Sequence, residues 1–178
     1  FAFLMIQFFM MMNQISATAI SRDGEKEAGY FKSLPVSKLK IVEAKAMPSV
    51  YIGLFNLCIA IVFDCIIFEV SWLEVIQLVV AGVLLNIIQS YLFLIIDLKN
   101  PKLRWESEVA VVKQNMNVLK SILLWFGMIV VTSLIGNVFL IFQGKYFSYA
   151  YLLILVMMFF SIRGYLKKNI ETLYLKIF

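Results

Sequence analysis

The sequence predicts an all-α, polytopic transmembrane helical bundle, and three observations predict it. Of the 178 residues, 62% are hydrophobic and only 15% charged, with a mean hydropathy of +0.91; soluble domains carry roughly 45–50% apolar and about 25% charged residues. Apolar stretches of spanning length recur at residues 1–20, 47–70, 72–96, 118–142 and 147–162, separated by polar segments. A hydrocarbon core about 30 Å thick takes ~20 helical residues to cross. Runs such as "IQLVVAGVLLNIIQSYLFLII" are apolar on every face, which excludes the period-two alternation of a barrel strand. One transmembrane domain over residues 1–178, with five visible spans, is the expectation.

Charge orients the bundle. Of the sixteen Lys and Arg, fifteen lie at 22–45, 99–120 and 163–176, leaving Lys145 alone on the other side. Basic connections face the cytoplasm, so the sequence predicts a multi-pass protein of the cell membrane with a cytoplasmic C-terminus. The net charge of +5 is then a topology signal beside an anionic leaflet, and no nucleic-acid partner is read from it.

The first stretch holds about a dozen uninterrupted apolar residues before Asn13 and Gln14, and the chain opens on Phe1; it reads as the C-terminal portion of a longer membrane protein. Residues 21–46 form a cytoplasmic segment with two short helices, one from Asp23 to Lys32 and one from Lys38 to Met47. Pro35 interrupts the first, because proline lacks an amide donor, and Ser37 caps the second. Pro48 predicts a bend where that second helix meets the membrane. The second and third spans join through an outer hairpin at Glu69 to Glu74, and Asn100-Pro101 marks the next turn. Trp105, Val109, Val112 and Met116 then recur at helical spacing and predict an interfacial helix. After the fourth and fifth spans, Leu166, Ile170, Leu173 and Ile177 repeat that pattern in the tail, with Lys167, Lys168 and Lys176 available to lipid phosphates.

Chemistry is sparse. Cys58 and Cys65 lie seven residues apart on one helix, about 10 Å along its axis, too far for a disulfide. The chain has no His, no metal-ligand cluster, no phosphate-binding glycine loop and no nucleophile beside a base. An enzyme is therefore not expected, and no catalytic, cofactor or metal residue is assigned. Polar residues within spans are costly in hydrocarbon and turn toward protein or water. Asp64, two helical turns beyond Asn56, either lines a substrate route or binds a proton, or it reaches the outer interface or a neighbour's hydroxyl. Gly82, Asn86, Gln89, Ser90 and Asp97 share a face of the third span, and Thr132, Ser133, Gly136 and Asn137 share one on the fourth; such faces are packing seams or pathway walls. Asn56, Asp64, Asn86 and Gln89 are the pathway candidates.

Two segments carry a resemblance. "SRDGEKEAGYFKSLPVSKLKIVEAK", set between two spans, resembles the coupling-helix region of bacterial type-two ABC exporter permeases. "DLKNPKLRWESEVAVVKQNMN" is similar to a cytoplasmic loop of the large, multi-span permeases of this class in Gram-positive bacteria. Together the two extend the resemblance over most of the chain. It implies a permease subunit that exports a hydrophobic or amphiphilic substrate, with ATP and Mg held by a separate dimeric ATPase subunit and no cofactor in this chain. Carried onto these positions, the ATPase contact is Tyr30, Phe31, Lys32, Ser33, Leu34, Pro35 and Val36. Further N-terminal spans, or a second permease copy, would complete the pathway. The competing expectation is a proton- or cation-coupled carrier or channel using Asp64.

Charge alone generates one prediction. Changing Lys38 and Lys40 to Glu leaves the orientation unchanged, because nine basic residues at 99–120 and 163–176 still hold it. A protease-accessibility map showing inversion would overturn that orientation.

Overall fold

The computed structural model describes residues 1–25, 30, 33–68, 70–141 and 146–175. Six α-helices account for most of them: α1 (Ala2–Met11), α2 (Lys38–Phe68), α3 (Trp72–Lys99), α4 (Glu108–Lys113), α5 (Met116–Ile141) and α6 (Phe147–Leu175). Two 3₁₀ turns, Ile15–Thr18 and Ser21–Asp23, lie between α1 and α2. There are no strands among the described residues. Helices α2, α3, α5 and α6 are each long and apolar enough to cross a membrane, which marks a membrane-embedded protein. Their outward faces agree: Phe55, Ile66, Leu123, Leu134, Leu153 and Phe160 are all exposed, as hydrocarbon-facing side chains must be.

Helix α3 is the centre. Over half of its apolar window is buried, against about a fifth for the other three spans, and it touches α1, α2, α5 and α6. Its length and high apolar content suit that place, with its few polar side chains turned toward the first segment and α2. Ser71 starts it with a capping box: its hydroxyl accepts from the Glu74 amide while the Glu74 carboxylate accepts from the Ser71 amide at 2.8 Å.

The first stretch is not a continuous span. After ten residues α1 ends, and the chain passes Asn13 and Gln14 into a 3₁₀ turn. The break sits inside the protein, with Met10, Ser16, Ala17 and Thr18 all fully buried. Non-helical backbone at membrane depth survives only where protein surrounds it, and here Gln89 of α3 supplies the missing bonds. Its side-chain amide donates to the carbonyls of Met10 at 2.7 Å and Asn13 at 3.2 Å. Higher on α1, Gln7 is anchored by Thr132 at 2.9 Å and the Tyr151 hydroxyl at 2.6 Å.

The second expected short helix does not end at Met47. It continues through Pro48 as the first third of the 31-residue α2. Val42, Ala46, Ser49, Gly53, Leu57, Ala60 and Asp64 are buried, an unbroken stripe at steps of three and four, while Pro48 itself faces outward. Burial of one continuous face outweighs the single hydrogen bond that proline removes. Two further expectations change for similar reasons. Trp105 lies before α4, whose cap is Ser107, and its indole points inward to the Ser21 carbonyl at 3.0 Å. The tail is no separate interfacial helix but the end of α6; Leu166, Ile170 and Leu173 are buried, and the first two pack with Ile20, Val42, Leu94 and Leu98 of the bundle instead of lipid. Ile177 and Lys176 lie outside the described residues, as does Glu69. Cys58 and Cys65 are free and exposed.

Helices α2 and α3 pack by exchange of side chains into glycine gaps. A Cβ on Gly53 would overlap the Asn86 Oδ1, and one on Gly82 would overlap the Leu57 Cδ1. Small residues let spanning helices approach this closely. Asn86 uses the gap to donate to the Val50 carbonyl at 2.8 Å. Gly53→Ala is therefore expected to displace Asn86 and destabilise the fold by about 1–3 kcal/mol. In the Gly53→Ala/Asn86→Ala double variant the clash disappears, so unfolding in detergent should show a cost smaller than the two single costs added. Strict additivity would refute the close packing.

Candidate functional site

The densest buried polar network lies at the basic end of the bundle, where the chain leaves the first stretch for residues 21–46. Asp97, near the end of α3, is fully buried. Its Oδ2 accepts from the backbone amides of Ile20 at 2.7 Å and Ser21 at 2.9 Å. Its Oδ1 accepts from the Ser21 hydroxyl and, at 2.9 Å, from the side-chain amide of Asn117 on α5. Asn117 in turn donates to the Asn100 carbonyl at 2.8 Å, and the Lys102 amide donates to the Ser21 hydroxyl at 2.9 Å. One carboxylate thus ties the first stretch, α3, the loop after it and α5 together. Charge-assisted bonds of this kind are roughly twice as strong as neutral ones.

The next residues are held from two further sides. Lys45 of α2 pairs with Asp23 at 2.5 Å, both side chains largely buried, and Arg104 pairs with Glu25 at the exposed surface. The Glu25 carboxylate also pushes the Arg104 guanidinium further above its ordinary pKa. Between them Gly24 turns with φ +63°, in the left-handed region, with the Trp105 ring 3.5 Å from where a Cβ would stand. Residues 20–25 are a clamp, held from several sides.

Of the ATPase-contact expectations within residues 21–46, Tyr30, Ser33, Pro35 and Val36 are exposed, while Leu34 is half-buried. The Ser33 hydroxyl donates to the Tyr30 carbonyl at 2.8 Å. Phe31 and Lys32 lie outside the described residues. Among the described residues the segment thus presents an exposed aromatic and a proline corner.

The four pathway candidates do not converge. Asn86 and Gln89 are buried and spend their amides on the backbone of α2 and of the α1 break, which is packing-seam geometry. Asn56 is half-buried. Asp64 stands eleven residues beyond Gly53 on α2, roughly 16 Å along the axis, so it is far from Asn86. It is fully buried, and neither carboxylate oxygen has a hydrogen-bond partner among the described residues. Among those residues no group of His, Cys, Asp and Glu could hold a metal.

In the sequence, Asp97 is visible only as one member of a polar face. Its distinguishing signal is position: an acidic residue in the last turn of a span, where the helix dipole disfavours it, needs strong compensating donors. No family model, curated protein or solved structure matches the chain.

Asp97→Asn keeps one acceptor oxygen: it can meet the Ile20 and Ser21 amides only by turning its own NH2 toward the Asn117 side-chain amide, so two donors face each other where a carboxylate oxygen accepted, at a cost of about 1–3 kcal/mol. The clamp should open locally, and trypsin should cut after Arg22 faster than in the unaltered protein. Asp64→Asn serves as the comparison and should leave that cleavage rate as it was. Equal rates in all three proteins would show that Asp97 does not hold the clamp.

Proposed function

We propose that this chain is a transmembrane permease subunit of an ATP-binding cassette exporter. A separate, dimeric ATPase subunit drives it, and a hydrophobic or amphiphilic substrate moves outward through alternating access. The basic end faces the cytoplasm in this reading, and further spans or a second permease copy complete the pathway.

The observation that carries the proposal is the clamp beneath the exposed segment. A push from an ATPase does work on the spans only if the contacted segment is stiffly joined to them. Residues 20–25 are joined to α2 through Lys45, to α3 and α5 through Asp97 and Asn117, and to the loop after α3 through Trp105. Tyr30 stands 63% exposed just beyond, and the resemblance of residues 21–45 to a coupling segment supports the same assignment. Lipid, which wraps the apolar helices, is the other partner.

A second reading rests on Asp64. A buried carboxylate without donors is a functional-site hypothesis in a membrane helix by default, and it suits a proton- or cation-coupled carrier that needs no ATPase.

One experiment separates the two. The full-length protein is purified in mild detergent, co-purifying subunits are identified, and ATPase activity and transport are measured after reconstitution. The permease reading expects a stoichiometric ATPase subunit, bound about thirty-fold more weakly when Tyr30 and Phe31 are both replaced by Ala, and transport that survives Asp64→Asn. Transport without any ATPase, abolished by Asp64→Asn, would overturn it in favour of the carrier.

A further inference from the structure

We propose that the basic end of the bundle holds a binding site for an anionic phospholipid. The site is an open groove of about 510 Å³, within the ~300–1,000 Å³ range of small-molecule sites. The 3₁₀ turn contributes Ile15 and the chain after it Ala19; Ala44 and Pro48 of α2 line the groove, as do Leu34 and Val36 of the segment between. Its surface is almost wholly apolar, which suits an acyl chain.

Charge selects the headgroup. Arg22 and Lys40 also line the groove, both are exposed, and neither has an ion pair among the described residues. Among those residues no carboxylate lines it. The third cation there, Lys45, is paired with Asp23, so two charges are offered to an incoming anion. An apolar trough with a guanidinium and an ammonium, at the level where α2 begins its membrane crossing, matches a glycerophospholipid: acyl chain along the trough, phosphate on Arg22 and Lys40. A zwitterionic lipid would bring its own cation toward the two basic groups and be disfavoured.

The bend at residues 34–36 forms part of this groove, so a bound lipid would brace the exposed segment against α2. Occupancy depends on membrane insertion alone and stands whether or not an ATPase subunit binds nearby.

The test uses the full chain in phosphatidylcholine vesicles containing a photoactivatable phosphatidylglycerol, with adducts mapped by mass spectrometry. Adducts should concentrate on the peptides holding residues 15–19 and 40–48, compete with unlabelled phosphatidylglycerol and resist phosphatidylcholine. Each cation removed should weaken labelling about five-fold, so Arg22→Gln/Lys40→Gln should lose about twenty-five-fold, while Lys167→Gln/Lys168→Gln, with the same net charge, should label normally. Ala44→Trp fills the trough at an exposed position without altering charge and should abolish the adducts too. Equal labelling by a photoactivatable phosphatidylcholine, adducts spread over all basic segments, or labelling that survives Ala44→Trp would overturn the site.

Discussion

Two polar side chains on α3, Gln89 and Asp97, hold the two places where the first twenty-five residues abandon helical geometry. Where α1 breaks, carbonyls are left without donors, and α3 presents a side-chain amide to Met10 and Asn13. Where the chain turns again at Ile20 and Ser21, amides are left without acceptors, and α3 presents a carboxylate. Gln89 and Asp97 are eight positions apart, about two turns or 12 Å, so both lie on one side of the helix. Apolar surroundings make each unmet backbone group expensive. The irregular path of the first segment therefore exists because α3 carries a complementary group at each irregularity.

That dependence sets the rest of the packing. With α3 occupied by the first segment on its polar face, α2 reaches it along an adjacent seam, where Asn86 fills the gap at Gly53 and Leu57 the gap at Gly82. The same seam continues toward the basic end through Ser49, whose hydroxyl accepts from Ser90 at 3.0 Å and whose carbonyl accepts from Asn13 at 2.6 Å. First segment, α2 and α3 thus share one hydrogen-bonded core, and the chain beyond Gly24 departs from the point where they converge. Lipid-facing α5 and α6 close the bundle, α5 through Trp125, whose indole donates to the Gln7 carbonyl at 2.9 Å and meets Phe93 edge-on.

Much of this is legible in the sequence. Hydropathy locates the apolar cores of α2, α3, α5 and α6, and Asn13-Gln14 already interrupts the first stretch. What local signals do not supply is the distant partner: Gln89 sits 76 residues from Asn13, and nothing nearby links them. Pro48 misleads in the opposite direction. A proline is a strong local signal, whereas the stripe from Val42 to Asp64 that carries α2 past it becomes visible only when one asks which face is buried. Trp105 and the Leu166, Ile170 and Leu173 face suggest lipid contact because helical spacing reports that a face is apolar and not what covers it. For the candidate site, Tyr30 and Pro35 lie in a polar segment that the sequence singles out, and the clamp on residues 20–25 is not visible there, since Lys45, Asp97, Trp105 and Asn117 come from four separate segments.

Asp97 and Asp64 make the sharpest contrast in the molecule. Both are fully buried acidic residues on long apolar helices. Asp97 collects four donors, two of them backbone amides, and a carboxylate so surrounded is structural: its charge is spent on fixing the chain. Asp64 occupies the next step of the buried stripe after Ala60, where an apolar side chain would pack at no electrostatic cost, and it collects none among the described residues. A buried carboxylate is costly unless it finds donors, so packing alone does not account for Asp64 as it accounts for the rest of the stripe. The contrast is one of donors: the Asp97 oxygens are fully met, and those of Asp64 have none among the described residues.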